Sequence, residues 1–407
     1  MSLAKNVEFL RRLPKLSHLN GFGYYGRSQR HGLRSPLVEV TGFGANPGGL
    51  KMFSYVPANL PRRPALVVVL HGCGQSAAGY DFGTGWSTLA KRYGFALLMP
   101  EQQPSNNANT CFNWFNPEDV ARDQGEACSI RQMIEKMAAD HNISRSRIFV
   151  TGLSAGGAMT SAMLATYPEV FCAGAVIAGL PFGVASNVRE ALSGMMQSPP
   201  RPARELGDFV RGASHHKGPW PKLSVWHGSA DRTVHPANAN EIVKQWLDVH
   251  GLTETPMSET MVDGHPRQIW WNEEGETIIE SYTITDMPHG TPLGFVDNGE
   301  RYGVEGALLI EAGISSSYHI ANFFGLTKRI RQPKTTAKAV MAAAAKERAR
   351  PFPTVAPVTM QGPDLAATLW PLATPVHRAI SPSKPRRRTI DVGDVITRAL
   401  TAAGLMK

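Results

Sequence analysis

The chain has 407 residues, 42% of them hydrophobic and 18% charged, enough apolar content to bury a full core. No stretch approaches the roughly 20 apolar residues needed to cross a bilayer, so no membrane span is expected. The formal charge of +9 resides wholly in residues 331–407, which hold 13 Lys and Arg against four Asp and Glu, so the first 330 residues are neutral and no nucleic-acid partner is implied. In chain order, residues 1–34 are a polar lead-in containing Arg and Gly. Pro36 to Thr41 and Leu50 to Tyr55 alternate as antiparallel strands that would open a sheet, and Ala65 to Leu70 is a continuous apolar run of the kind that fills a buried parallel strand. Trp86 to Tyr93 reads as a helix and Phe95 to Pro100 as the next strand. Asp123 to His141 reads as a long amphipathic helix whose Ile130, Met133, Ile134 and Met137 form a core stripe. Residues 182–220 form an insert without a strand pattern, placed either to cover a substrate or as a plain surface excursion. Lys222 to Trp226 and Glu280 to Thr285 read as further strands.

Val150-Thr-Gly-Leu-Ser154-Ala-Gly-Gly157 is a Gly-x-Ser-x-Gly sequence directly after the apolar run Ile148 to Val150 and directly before the helix-favouring stretch Ala158 to Tyr167. A serine on a sharp strand-to-helix turn is held clear of the sheet as a nucleophile, and glycines flank it because side chains there would collide with strand and helix. Two later loops supply partners in the order such a site requires: His227-Gly-Ser-Ala-Asp231 after one strand, and Asp286-Met-Pro-His289 after another. Asp231 and His289 are therefore the expected acid and base. The loop His71-Gly-Cys73-Gly-Gln75 can supply one backbone N–H of an oxyanion hole, from Cys73, with the other from Ala155. His71 and His227 are expected to shape loops rather than transfer protons. The fold expected is an α/β-hydrolase: a mostly parallel sheet with helices on both faces, spanning 35–330, followed by a tail.

The chain resembles the poly(3-hydroxybutyrate) depolymerase family of esterases. The resemblance rests on His71-Gly-Cys-Gly-Gln75, Gly85-Trp86 before Tyr93-Gly94, Pro100-Glu-Gln102, Cys111-Phe-Asn-Trp114-Phe115, Arg122-Asp-Gln-Gly-Glu126, Gly152 to Gly157, Ala178-Gly-Leu-Pro-Phe-Gly183, His227-Gly-Ser-Ala-Asp231 and Pro288-His-Gly-Thr-Pro292. It runs from about residue 35 to about 326 and implies a triad of Ser154, Asp231 and His289, with the Cys73 and Ala155 amides as oxyanion hole and no cofactor or metal. It also favours Trp114 as an apolar wall for the substrate, the other reading being a hydrophobic plug in the core. The family includes feruloyl and acetylxylan esterases, so the alternatives to a polyhydroxybutyrate esterase are a carboxylesterase of that type or, in a different class, a non-catalytic protein that binds polymer granules.

Met1 to Asn20 has four basic residues but no apolar h-region, so a cytoplasmic location is expected, with an extracellular one, as in many relatives, the alternative. In a reducing cytoplasm Cys73, Cys111, Cys128 and Cys172 would all be thiols; in secreted relatives a cystine near the active site would be natural, and Cys73 and Cys111 are the pair whose motifs flank the pocket. Residues 331–407 form a basic, Pro/Ala-rich tail ending in a short amphipathic helix at Val392, Val395, Ile396, Ala399 and Ala403, behind Arg386-Arg-Arg388. Such a tail suits adsorption to a polymer granule or anionic surface, the alternatives being docking on its own catalytic domain or staying solvated.

Overall fold

Apolar residues on successive positions of Leu66–Leu70 point to opposite sides, and each side needs a cover. In the computed structural model, which describes residues 35–327 apart from 198–199 and 297–298, both sides have one. The strands are β1 (Val38–Val40), β2 (Lys51–Tyr55), β3 (Leu66–Leu70), β4 (Ala96–Glu101), β5 (Ile148–Leu153), β6 (Ala173–Ile177), β7 (Lys222–Gly228), β8 (Ser258–Val262), β9 (His265–Trp271) and β10 (Thr277–Ile284). They form one sheet in the order β1-β2-β4-β3-β5-β6-β7-β10-β9-β8. The six strands from β4 to β10 in that order are parallel, while β1-β2 and β9-β8 add antiparallel ribbons at the two edges. A separate two-stranded pair joins β11 (Thr291–Leu293) and β12 (Leu309–Glu311).

The alternation along β3 sorts the core into two layers. Leu66, Val68 and Leu70 pack with Ile130, Met133, Ile134 and Met137 of the helix Gly125–His141, with Met159 and Met163 of the helix Ala155–Thr166, and with Trp246 of the helix Ala237–His250. Val67 and Val69 pack on the other side with Tyr80, Trp86 and Leu89, from the helices Ala77–Thr84 and Trp86–Tyr93, and with Ile320 of the helix Ser316–Phe323. The Ile/Met stripe is core, as its helical spacing requires.

Several elements were not expected. The insert after Phe182 contains two helices, Val188–Gln197 and Ala203–Gly212, and it is tied down rather than loose. The backbone N–H of His235 donates to Met195 O at 2.7 Å, and Gln245 Nε2 donates to both Phe182 O and Leu206 O at 2.9 Å. The β8–β9 hairpin turns on Asp263 and Gly264, both at positive φ, the signature of a two-residue loop that Asp-Gly favours. The helix after Ser154 starts at Ala155, three residues earlier than expected, because Gly156 and Gly157 lie in its first turn. The lead-in 1–34 and the tail 331–407, where a terminal amphipathic helix was expected, lie outside the described residues.

Ile134 is fully buried between the sheet and the first-layer helices. We expect Ile134→Ala to lower the free energy of unfolding by about 2–5 kcal/mol, read as a shift in the urea midpoint at unchanged slope.

Candidate active site

β5 ends at Leu153 and the next helix begins at Ala155, leaving Ser154 alone to make the turn. Its backbone lies at φ 56° and ψ −118°, outside the regions a non-glycine residue normally occupies, and such strain costs on the order of 1–3 kcal/mol. Packing explains why the chain tolerates it. The helix runs so close to β3 that a Cβ on Gly156 would stand 2.4 Å from Leu70 O and 2.5 Å from His71 O. The Ser154 N–H donates to Ile177 O at 2.9 Å, tying the turn to β6. Ala155, as the first residue of the helix, has an N–H without an intrahelical acceptor.

Asp231 and His289 meet because β7 and β10 are parallel neighbours, with His227 opposite Thr283, so the loops leaving them emerge side by side. The loops are then stitched together. Ser229 N–H donates to Ile284 O at 2.9 Å, Ala230 N–H to Met287 O at 3.1 Å, and a Cβ on Gly228 would stand 2.1 Å from Met287 O. His289 Nδ1 lies 2.7 Å from Asp231 Oδ2, and its Nε2 lies 2.9 Å from Ser154 Oγ. The other carboxylate oxygen, Oδ1, accepts from the N–H groups of Thr233 at 2.8 Å and Val234 at 2.9 Å. Burial works to raise the Asp231 pKa, but hydrogen bonds from His227 and His289 and their charge outweigh it and hold the carboxyl well below its usual range. An ionised Asp231 can only accept, so His289 carries its proton on Nδ1 and turns a bare Nε2 toward the serine.

His227 is the contact that the sequence did not disclose. Its Nε2 is 2.8 Å from Val234 O, to which it must donate, and 3.2 Å from Asp231 Oδ2. The ring thus closes the Asp231 to Val234 turn and steadies the carboxylate, which is a more direct part than shaping a loop. The only signal in the sequence is its spacing, four residues before Asp231. His71 does hold a loop: its buried Nε2 accepts from the Gln102 N–H at 3.1 Å, leaving Nδ1–H to donate to Gly72 O at 2.8 Å, and burial pushes its pKa down to about 4.

Cys73 and Cys111 form a disulfide, the pairing expected for secreted relatives rather than the four thiols expected in a reducing cytoplasm; Cys128 and Cys172 are free. Two loops that leave the sheet separately are brought together there, joining residues 38 apart that belong to the pair of motifs expected to flank the pocket. Gly74 N–H also donates to Asn109 O at 2.8 Å, binding the same two loops beside the bond. Among the described residues no hydrogen bond engages the Cys73 N–H. The aromatic cluster divides its duties. Phe112 is fully buried against the His71 ring, while Trp114 is half-buried, edge-on to Phe115, and packed against both the main core and a small cluster of Ala158, Leu180, Val184, Leu206 and Val234. Ala158 follows Ser154 and Val234 follows Asp231, so Trp114 belongs to the same end of the molecule as the triad residues. A separate cleft of about 370 Å³ is lined by Asn46, Asn113, Phe115, Asn116, Asp119 and Glu126, and by none of Ser154, Asp231 or His289.

A strained serine hydrogen-bonded to a histidine and a buried aspartate describes many hydrolases; the family is decided by sequence. Residues 51–263 match the family described as Esterase PHB depolymerase. The chain belongs to that family. A poly(3-hydroxyalkanoate) depolymerase C of Paucimonas lemoignei is 46% identical over 291 residues, covering 71% of this chain and 70% of that one. An acetylxylan esterase of Coprinopsis cinerea is 34% identical, covering 63% and 69%, and a feruloyl esterase B of Thermothelomyces thermophilus is 36% identical, covering 58% and 82%. Among solved structures, an acetyl xylan esterase from Aspergillus awamori aligns with a TM-score of 0.60 at 25% identity, over 72% of this chain and 99% of that one. This PHB depolymerase-family esterase is a carboxylic ester hydrolase with the α/β-hydrolase fold. Among its described residues no helix is long and apolar enough to cross a membrane, and no group of three or more His, Cys, Asp or Glu could hold a metal.

The disulfide closes a loop 38 residues long, for which chain entropy gives roughly 4 kcal/mol of stabilisation. Thiol titration of the unfolded esterase should find two free thiols before reduction and four after, and replacing Cys73 and Cys111 together by Ser should lower Tm by several degrees. Four thiols without reductant would count against the bond.

Proposed function

We propose that this esterase hydrolyses poly(3-hydroxybutyrate) or its oligomers through an acyl-enzyme, with Ser154 as nucleophile, His289 as base and Asp231 as the orienting acid. The observation that carries the reading is the unbroken hydrogen-bond chain from Asp231 Oδ2 through His289 to Ser154 Oγ. His289 Nε2 takes the serine proton as Oγ attacks the ester carbonyl, and the adjacent ionised Asp231 stabilises the imidazolium that results. The carbonyl's π electrons move onto oxygen, where the Cys73 and Ala155 N–H groups receive them; loss of one such donor typically costs about 3 kcal/mol. His289 then protonates the departing alkoxide, and water repeats the sequence on the acyl-enzyme. No step calls for a cofactor.

For the substrate, the support is the 46% identity to a poly(3-hydroxyalkanoate) depolymerase and the neutrality of residues 1–330, which suits an uncharged polyester. Trp114, half-buried beside Leu180 and Val234, would supply the apolar wall. The second reading, a feruloyl or acetylxylan esterase, is favoured by the relatives at 34–36% identity. A granule-binding protein without activity would have no use for a strained, hydrogen-bonded serine. The disulfide beside the proposed oxyanion hole supports an oxidising compartment over the cytoplasm. The basic tail would adsorb the esterase to granules, a proposal supported by its charge alone.

Ser154→Ala should abolish hydrolysis with the fold intact, leaving no more than about a thousandth of kcat, and a serine-directed phosphonate should label Ser154 in the parent. Asp231→Asn should lower kcat by about 10⁴-fold with KM little changed, because the histidine then adopts the wrong tautomer. One preparation assayed on amorphous polyhydroxybutyrate granules and on a methyl ferulate ester decides the substrate. Turnover confined to the ferulate would reject the polyester reading. Removing residues 331–407 should leave soluble short esters cleaved as before and slow granule hydrolysis; equal effects on both would discard the tether.

A further inference from the structure

Two motifs take no part in the chemistry above, Pro100-Glu-Gln102 and Arg122-Asp-Gln-Gly-Glu126. The structure brings their ends together inside the protein. Gln102 is 2% exposed and Glu126 1%, and polar groups so deeply buried are expensive unless every one is hydrogen-bonded. Glu126 Oε1 accepts from Gln102 Nε2 and from Asn113 Nδ2, the latter at 2.8 Å, and its Oε2 accepts from the Asn113 N–H at 2.9 Å. Gln102 Nε2 also donates to Cys111 O at 3.1 Å, and its Oε1 accepts from the Gln103 N–H and from Asn106 Nδ2, both at 2.9 Å. The segment from 102 to 113 is therefore organised around a single carboxylate, in the first turn of the 17-residue helix Gly125–His141, a rigid part of the core.

That segment in turn grips the loop carrying Cys73 at three points. His71 accepts from the Gln102 N–H, Cys73 is bonded to Cys111, and Gly74 donates to Asn109 O. We propose that Glu126 is a positioning residue for the oxyanion hole, acting through Gln102, Asn113 and Cys111 to fix the Cys73 N–H where negative charge develops. The proposal rests on the reading of Cys73 as an oxyanion donor. A group that acts only by aiming such a donor affects the transition state and not the bound ester, since the hole is complementary to the oxyanion. The residue type follows from the partners. Gln102 and Asn113 together present three N–H groups to Glu126, so a glutamine there would turn its own –NH₂ toward at least one of them. Burial, and then the nearby charge of Asp119, raise the Glu126 pKa well above the usual carboxylate range although the three donors pull the other way.

The test compares the full-length parent with Glu126→Gln and with Gln102→Met, which keeps the side chain's bulk and removes its hydrogen bonds. We expect kcat to fall about 10- to 100-fold in each with KM within about twofold, because a displacement of the order of an ångström in a catalytic group costs about that much, while both variants fold with Tm lowered by the buried partners left unbonded. Affinity for an aryl trifluoromethyl ketone should fall by the same factor as kcat/KM. Ser154 adds to that ketone as it adds to an ester: the O–C bond forms, the proton passes to His289, and the carbonyl oxygen becomes an oxyanion in the hole. Binding of the product acid should not change. Unaltered kcat in both variants, a fall in kcat without the matching loss of ketone affinity, or failure of both to fold, which would make the network a support of the fold, each overturns the proposal. A crystal structure of the parent's ketone adduct separates the two layers of argument. If its oxygen lies away from the Cys73 and Ala155 amides, the oxyanion assignment is at fault; if it lies on them and the variants are unaffected, Glu126 is.

Discussion

The site depends first on how closely the helix after Ser154 approaches β3. Without side chains at Gly152 and Gly156 the helix start sits against the Leu70 and His71 carbonyls, and a Cβ at either glycine would meet backbone oxygen at 2.3 or 2.4 Å. Backbone cannot yield as a flexible side chain can. That approach leaves the chain no gentler route from strand to helix than a one-residue turn, which is why Ser154 occupies a conformation that serine would not choose. The strain is carried by the sheet and by the apolar layers on its two sides, with Leu66, Val68 and Leu70 facing one and Val67 and Val69 the other.

Given that anchor, the remaining groups are placed by strand order. Ser154 follows β5, Asp231 follows β7 and His289 follows β10, and all leave the same edge of the sheet because the strands are parallel. Brought together in a buried place, an aspartate would ordinarily take up a proton. Four N–H groups directed at Asp231, from Thr233, Val234, His227 and His289, reverse that tendency. The carboxylate is therefore held charged by two backbone N–H groups and two imidazoles.

The loops above β3 and β4 form a second assembly with its own logic. A disulfide, a histidine acceptor and a backbone hydrogen bond tie the Cys73 loop to the segment from Gln102 to Phe115, which also carries Phe112 inward and Trp114 toward Leu180 and Val234. The parts proposed to meet the oxyanion and the parts proposed to meet the substrate's apolar surface are consequently one rigid unit.

The sequence by itself determined the class of fold, the Gly-x-Ser-x-Gly turn, and the order of serine, aspartate and histidine, because each is a local pattern: a buried strand is a run of apolar residues, and a tight turn demands glycine at fixed offsets. The stripe at Ile130, Met133, Ile134 and Met137 was legible for the same reason. Tertiary structure alone decided what depended on distant segments meeting. The meeting of the Cys73 and Cys111 loops and the carboxylate of Glu126 beneath the Cys73 loop join residues whose proximity arises only when parallel strands align their loops at one end of the sheet. No residue type or spacing encodes such contacts, since each is selected by the space and the unsatisfied polar atoms of the finished fold rather than by its neighbours in the chain.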